Sequence, residues 1–393
     1  MSATPTGFGP RLKSLMSQQY AWGIIALLLL LAVDVIKDPS YLAISVNPTT
    51  GNLSGNLIDI LRQSAPVLMI AVGMTLVVAT RGIDLSVGSV MAVSGAVSMQ
   101  FLASAPNTPG SAVAALAMGL GLSLVLGLLN GVLVAWVGLQ PFITTLVMML
   151  AGRGIARVIT GGQNTSANND TFRWIANGTV FGFPVVFLIA ALVVAAVAVL
   201  VRRTALGTFI EALGINPKAS RLIGIRPGGL LVSVYALSAL LAGLGGVFAT
   251  ASVMTVEVSR TGLNSELDAI LAVVVGGTSL AGGKFSLTGT VVGALLITTL
   301  DKTIVFLSIP SAATPAFKAI VIVAVCLLQS ERARGWIRGR RAGRGQAQRP
   351  TPPSPAPSPT SPDAAAEAHA AAAGTKATAG DAGTDNDQKA VNA

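Results

Sequence analysis

The sequence contains a single cysteine, a single histidine and few charged residues. Cys326 lies in an apolar run, which excludes an intrachain disulfide and a thiolate metal cage. His369 lies in an Ala-rich segment, so no nucleophile–base set or metal-ligand set can be assembled from these residue types. We therefore expect no bound metal, no cofactor and no catalytic residues in this chain.

The low charge content indicates a membrane protein. Only 11% of the 393 residues are charged, whereas 52% are apolar; a soluble domain carries about 25% charged residues. The 43 glycines suit helices whose backbones approach closely in a bilayer. The formal charge of +10 comes from Lys and Arg at the ends of apolar runs, without aromatic interleaving. That pattern is typical of residues that set membrane topology and argues against nucleic-acid binding.

Ten apolar runs are long enough to cross a bilayer. They lie near 20–37, 57–80, 85–103, 111–137, 141–160, 180–201, 228–253, 266–283, 286–308 and 313–330. The first run is followed by Asp and Lys rather than by a small-residue cleavage signature, so we interpret it as a retained helix. We predict an all-α polytopic membrane protein with about ten transmembrane helices in residues 20–330. Eight helices with two re-entrant segments are the alternative.

Positive charge in the connectors predicts which ends are cytoplasmic. The loop 202–226 contains five Lys or Arg residues and one acid, and the chain after residue 330 begins with an Arg-rich segment. The positive-inside bias places both in the cytoplasm, together with the N-terminal segment 1–19. Residues 331–393 are basic and then Pro/Ser/Ala-rich, which predicts a disordered cytoplasmic tail.

The first segment with candidate functional residues is Thr80–Ser89, between two apolar runs. Asp84 is an acid near membrane depth, Ser86 follows it, and Gly88 permits close backbone packing. One hypothesis is a helix cap with a local Arg81–Asp84 ion pair. The other hypothesis is a lining or gate of a transport pathway.

The second segment begins with Glu266 and Asp268 and ends in a Gly-rich turn that includes Gly276, Gly277 and Thr278. It superficially resembles a phosphate-binding loop. However, Thr278 occupies the position of the first required glycine, and Phe285 follows the lysine. The segment therefore predicts no nucleotide site, and we consider its acid and its glycines as further residues of a pathway or gate.

The third segment is the loop 204–225, which alternates short helical stretches with Gly and Pro. Phe209, Ile210 and Leu213 have helical spacing, and Leu222 and Ile223 offer a second apolar face. Such a loop either docks a soluble partner protein or lies on the membrane surface. Elsewhere, Arg153 and Arg157 share one helix face and either snorkel or face a wet cavity.

Together these segments resemble the permease subunits of bacterial ABC sugar importers of the ribose/xylose/galactofuranose type, over residues 20–330. The matching motifs are Gly73–Thr80 with Gly82–Gly88, Leu267–Ile270 with Val275–Leu280, and Ala205–Gly207 with Ala212–Asn216. Gln140–Phe142 and Ala151–Gly154 are most similar to the galactofuranose branch. The resemblance implies a type II importer-like fold and a pore-forming subunit that moves a pentose or hexose, galactofuranose among the options, across the inner membrane.

The resemblance also implies partners and residue roles. A periplasmic sugar-binding protein would deliver the substrate, a second permease copy (identical or related) would complete the pathway, and a separate ATPase would dock on the loop 202–226. The ATPase contact would involve Glu211, Ala212, Gly214, Asn216, Leu222 and Gly224. The pathway or its gate would involve Asp84, Ser86, Gly88, Asp268, Gly276, Gly277 and Thr278. The rival hypothesis is an ion-coupled secondary transporter, which would require acids at the membrane midplane.

Overall fold

The computed structural model describes residues 20–46 and 52–329; the predicted segments 1–19 and 331–393 lie outside these residues. The helices are α1 (Tyr20–Lys37), α2 (Asn56–Ala79), α3 (Val87–Ser104), α4 (Pro109–Val132), α5 (Pro141–Ile159), α6 (Asp170–Asn177), α7 (Val185–Arg203), α8 (Ala205–Ile215), α9 (Pro217–Leu222), α10 (Pro227–Val253), α11 (Ser265–Val275), α12 (Leu287–Phe306) and α13 (Thr314–Gln329). A π-helical turn (Leu133–Val137) extends α4, and a 3₁₀ turn (Ser311–Ala313) precedes α13.

Six two-residue strands form three antiparallel pairs in the connectors. They are β1 (Ser45–Val46) with β2 (Leu53–Ser54), β3 (Thr165–Ser166) with β6 (Thr255–Val256), and β4 (Thr179–Val180) with β5 (Phe183–Pro184). The β4–β5 hairpin delays the start of α7 to Val185, whereas the apolar run in the sequence begins near residue 180.

Seven helices of the described residues are long and apolar enough to cross a membrane. They are α2, α3, α4 with its π-helical turn, α5, α7, α10 and α12. The predicted run 266–283 is different, because α11 ends at Val275 and has only 11 residues. Such a helix is about 16 Å long, and the chain continues to α12 as a non-helical, Gly-rich segment (276–286) in which Gly277, Gly282 and Gly283 have positive φ.

Local sequence explains where several helices begin. Proline occupies the first position of α4, α5, α9 and α10, where a backbone N–H would have no helical partner. The Thr108 hydroxyl accepts a hydrogen bond from the Ser111 N–H at the start of α4. Asn216 and Ser286 cap α9 and α12 in the same way.

The centre of the helix bundle is α10, which packs against α2, α3 and α4. Glycines make these approaches possible. A Cβ on Gly127 of α4 would collide with Ala239, one on Gly243 with Ser123, and one on Gly246 with the backbone of Met91. On the other side of α2, α12 packs against α1, α2 and α11. Small residues thus set the close spacing that hydrocarbon-embedded bundles favour.

Contacts between connectors sort them into two ends of the bundle. The connector between α7 and α10, which comprises α8 and α9, is called the loop 204–226 below. At one end of the bundle, the chain around Arg81 and the segment 276–286 contact this loop; we call this the 204–226 end. At the other end, β3 pairs with β6, Asn107 bonds Asp170, and Lys37 donates to the carbonyl of Phe306; we call this the 160–184 end. The helices between these connectors therefore run alternately in opposite directions.

Candidate functional site

Asp84 lies in the turn between α2 and α3 and is almost completely buried. Its Oδ1 atom accepts hydrogen bonds from the backbone N–H of Ser86 at 3.0 Å and from the Ser86 hydroxyl at 2.5 Å. Its Oδ2 atom accepts from the hydroxyl of Ser238 in α10 at 3.1 Å. A buried carboxylate with several donors is satisfied without a neighbouring cation.

Two other helices join this turn. The Asn130 side chain of α4 donates from Nδ2 to the Ser86 hydroxyl at 2.9 Å. Asp84, Ser86, Asn130 and Ser238, which we call the Asp84 cluster, therefore connect α4 and α10 to the start of α3. Ser238 is about three turns into α10, or about 16 Å from its start. The cluster thus lies roughly half of the 30 Å hydrocarbon thickness away from the 204–226 end.

The contacts of the Asp84 cluster test the first hypothesis for this segment, a helix cap with a local Arg81–Asp84 ion pair. The predicted local Arg81–Asp84 pair is wrong, because Asp84 bonds to Ser86 and Ser238 while Arg81 points to the loop 204–226. Ser86 occupies the N-cap position of α3, but its side chain makes no capping bond; instead, Asp84 accepts the Ser86 N–H. Asn130 Oδ1 and Tyr235 Oη are buried without a hydrogen-bond partner among the described residues. Two polar atoms in or beside the cluster are therefore free to form further hydrogen bonds.

Gly88 joins the first segment to the second. A Cβ on Gly88 would collide with the carbonyl oxygen of Gly262 and with Oε2 of Glu266. Gly262 has φ +66°, and a Cβ there would in turn collide with the Gly88 carbonyl oxygen. Gly88 and Gly262, which are 174 residues apart in the sequence (262 − 88), are therefore packed backbone to backbone where α3 and α11 begin.

Arg153 of α5 holds the connector that carries Gly262. Its Nη1 and Nη2 atoms donate to the carbonyl oxygens of Thr261 and Gly262, each at 2.6 Å. Snorkelling and a wet cavity were the alternatives expected for Arg153; in the structure, its guanidinium binds protein backbone. Glu266 is also buried here, and its Oε2 atom has no hydrogen-bond partner among the described residues.

Asp268 lies away from the Asp84 cluster, in an ion-pair triad with residues of α12 and α13. Both of its carboxylate oxygens accept from Lys318 Nζ, at 3.0 and 3.2 Å. Lys318 Nζ also lies 2.7 Å from Oδ1 of Asp301. The triad borders an open, mostly apolar cleft of about 720 Å³ between α11 and α13. Lys318 and Asp301 were missed at the sequence level because each is an isolated charge in an apolar run.

Gly276, Gly277 and Thr278 contact the start of α12. Gly276 packs against the backbone of Gly289, and Gly277 has φ +86°. The Thr278 hydroxyl accepts a hydrogen bond from the Ser286 N–H at 3.2 Å. The structure thus places these three residues in the connection from α11 to α12, whereas Asp84, Ser86 and Gly88 lie at the start of α3.

The loop 204–226 folds into α8 and α9, as its Gly and Pro breaks predict. Ile210 and Leu213 of α8 are buried against the bundle, while Phe209 is partly exposed. Leu222 and Ile223 are 89% and 75% exposed; we call these two apolar residues the tip of the loop 204–226. Phe209, Ala212, Ile223 and Gly224 line a groove of about 480 Å³ between α8 and the start of α10. Glu211 lines a second hollow with Arg202 and Phe285.

The end of α8 is tied to both other segments. Arg81 donates from Nε to the Gly214 carbonyl and from Nη2 to the Ile215 carbonyl, the latter at 2.6 Å. The Gly283 N–H donates to the Ala79 carbonyl at 2.9 Å. A side chain at Gly214 would collide with the Ala79 carbonyl. Asn216 caps α9 with its own side chain.

Residues 56–328 match the profile of a family described as the permease component of the branched-chain amino acid transport system. The chain belongs to this family. The permease family comprises one component of a transport system, so a member works with an energising ATPase and a substrate-binding partner. Family membership and the apolar helices also make the chain a multi-pass protein of the inner membrane.

Several curated relatives are sugar permeases. The fructose import permease of Bifidobacterium longum (strain NCC 2705) is 52% identical over 81% of this chain and 90% of its own length. The galactofuranose transporter permease of Escherichia coli (strain K12) is 41% identical over 81% and 92%. The ribose import permease of the same strain is 39% identical over 79% and 93%. No solved structure matches the chain. The resemblance to ABC sugar-importer permeases is confirmed, with the galactofuranose type among the relatives.

Proposed function

We propose that this chain forms half of the translocation pathway of an ATP-driven monosaccharide importer and carries no catalytic residue. The observation that supports this most directly is the Asp84 cluster. It places a carboxylate, two hydroxyls and an amide inside an apolar bundle, at the break between α2 and α3. Ionisable groups inside a membrane bundle are costly, and in transporters they mark substrate pathways. The relatives named for fructose, galactofuranose and ribose make a pentose or hexose the substrate.

The proposed topology has ten crossings with both termini in the cytoplasm. Besides the seven long helices, α1, α11 with the segment 276–286, and α13 each connect the two ends of the bundle. The 204–226 end carries Arg202, Arg203, Lys218, Arg221 and Arg226. Positive-inside bias therefore assigns this end to the cytoplasm and the 160–184 end to the periplasm.

The ATPase docks on α8 and α9 in this proposal. Leu222 and Ile223 stand exposed beside the groove lined by Phe209, Ala212 and Gly224. Exposed apolar residues next to a groove are typical of a protein–protein contact. Three further residues support the docking surface. Glu211 lines the neighbouring hollow, Gly214 lets α8 pack against the end of α2, and Asn216 separates α8 from α9.

A second permease copy completes the pathway. Within this chain, we assign two groups of residues to the pathway. Asp84, Ser86 and Gly88 form the gate at the start of α3. Asp268 faces the cleft between α11 and α13, while Gly276, Gly277 and Thr278 connect α11 to α12 and shift together with the start of α12 when ATP binding rocks the bundles. Since a binding protein supplies specificity, the pathway itself needs only weak contacts with the sugar.

The test is reconstitution in lipid of the chain with its ATPase and its sugar-binding protein. ATP hydrolysis and uptake are measured with a panel of hexoses and pentoses. We expect hydrolysis to rise when the binding protein is loaded with its sugar, and uptake to require ATP. Uptake that needs no ATPase and stops when an ion gradient is collapsed would instead establish an ion-coupled secondary transporter.

A further inference from the structure

Arg81 binds the end of α8 although Asp84 is only three residues away. Its guanidinium donates to the carbonyl oxygens of Gly214 and Ile215, which lie 133 and 134 residues further along the chain. These carbonyls belong to the last turn of α8, where no helical N–H remains to bond them. The negative end of the helix dipole also favours a cation there. Arg81 therefore acts as the C-terminal cap of α8.

The backbone around Arg81 is fixed by contacts on both sides. Arg81 has φ +68°, a left-handed conformation that costs a non-glycine residue on the order of 1 kcal/mol. A Cβ on Gly282 would collide with Arg81 Cγ, and the Gly283 N–H is bonded to the Ala79 carbonyl. The turn after α2, the end of α8 and the segment 276–286 are thus interlocked at one point.

The same turn continues directly into the Asp84 cluster. Only Gly82 and Ile83 separate Arg81 from Asp84, and Gly82 lies against the hydroxyl of Tyr235 with no room for a side chain. The Thr145 hydroxyl donates to the Ile83 carbonyl at 3.0 Å and accepts from the Leu85 N–H at 3.2 Å. The stretch from Arg81 to Asp84 is thus short and held on both sides, so few residues are available to absorb a displacement of Arg81.

We propose that Arg81 is the positioning residue that couples movement of α8, driven by the ATPase, to the Asp84 cluster in the pathway. This inference rests on the proposed function, and Arg81 itself touches neither sugar nor nucleotide. When α8 shifts, the two hydrogen bonds carry the turn 80–83 with it. The turn then moves Asp84 and Ser86 relative to Ser238 of α10 and Asn130 of α4.

The experiment compares variants in the reconstituted complex of permease, ATPase and sugar-binding protein, with sugar moved per ATP hydrolysed as the readout. Arg81→Asn keeps a residue that tolerates positive φ but removes the guanidinium. Arg81→Lys keeps the charge but loses the planar fork that reaches two carbonyls. Arg173→Asn, at an exposed position of α6 at the opposite end, is the control.

We expect sugar moved per ATP to fall roughly tenfold in Arg81→Asn, since two charge-assisted hydrogen bonds are lost, and less in Arg81→Lys. The control should behave as wild type. An unchanged ratio in Arg81→Asn would overturn the inference, as would loss of the assembled complex in both Arg81 variants, which would indicate a folding role. Failure of the proposed function is distinguishable, because the wild-type complex would then show no sugar-stimulated hydrolysis.

Discussion

Gly88 and Gly262 lie backbone against backbone, each closing the space that a side chain on the other would need. Gly262 is held in this position by the Arg153 guanidinium, and Glu266 fills the remaining space beside Gly88. The start of α3 and the connector before α11 therefore cannot move independently. A rigid contact of this kind lets two distant segments of the chain respond as one body.

We predict that Gly88→Ala destabilises the permease and lowers sugar uptake. The added methyl group would overlap backbone and carboxylate atoms that cannot move away, and overpacking of this type costs about 1–3 kcal/mol. The matched control is Gly154→Ala in α5, where the space around the new Cβ is open. Thermal unfolding in detergent should show a lower midpoint for Gly88→Ala only; equal midpoints for the two variants would contradict the close packing.

Asp84 should be more important for transport than Ser238, its partner in α10. Asp84→Ala removes the acceptor of three hydrogen bonds, whereas Ser238→Ala removes one donor, worth about 1 kcal/mol. Uptake into proteoliposomes should fall strongly in the first variant and mildly in the second. If Asp84→Ala and Asp268→Ala both left uptake and complex assembly unchanged, these acids would have no role in the pathway.

Removal of Lys318 should be more harmful than removal of Asp301. Lys318→Gln leaves Asp268 and Asp301 facing each other without a cation, whereas Asp301→Asn leaves the Lys318–Asp268 pair intact. Because the triad is partly buried, we expect Lys318→Gln to lower the free energy of unfolding by about 2 kcal/mol, between the values for exposed and buried pairs. The exposed Arg260–Glu257 pair is the control: Arg260→Gln should leave the unfolding midpoint nearly unchanged.

The exposed tip of the loop 204–226 should be required for ATPase binding and dispensable for stability. In the double variant Leu222→Ser/Ile223→Ser, two exposed apolar side chains are lost and the bundle is left intact. Copurification of the ATPase should decrease while the thermal midpoint stays the same. Phe181→Ser, at a 97% exposed position of the 160–184 end, should leave ATPase binding unaffected. Equal loss in both variants would argue against docking at this tip.

Labelling of single cysteines tests the orientation of the two ends. In a Cys326→Ala background, a membrane-impermeant maleimide should label Phe181→Cys in intact spheroplasts. Leu222→Cys should be labelled only after the membrane is permeabilised, because we place the 204–226 end in the cytoplasm. The reverse pattern would invert the topology and with it the assignment of the ATPase side.

The sequence predicted the seven long apolar helices and the short helices of the loop 204–226, because both depend on local patterns. Apolar runs of sufficient length indicate helices in any context, and the Gly and Pro breaks that separate α8 from α9 act within a few residues. The short α11 was not predictable in the same way. Its run continues as Gly-rich apolar sequence to residue 283, and only packing against α12 shows that the helix ends at Val275.

The contacts of charged residues were less predictable, since their partners are distant in the sequence. The local pair Arg81–Asp84 was a reasonable hypothesis from spacing alone. Arg81 instead binds Gly214 and Ile215, more than 130 residues away, and Asp84 combines its neighbour Ser86 with the distant Ser238. Nothing in the spacing of Lys318 indicated that it would neutralise Asp268. Such pairings depend on how helices are arranged and therefore require the three-dimensional structure.

The central place of α10 has a consequence for how the protein is made. Because α10 fills the groove between α2, α3 and α4, the first 226 residues cannot complete their packing when they leave the ribosome. The faces of α2, α3 and α4 that contact α10 therefore lack their partner until α10 has left the ribosome. The pairing of β6 with β3, at the 160–184 end, can form only after α10 is complete. Packing of the bundle centre is therefore a late step of synthesis, because it needs a helix from the second half of the chain.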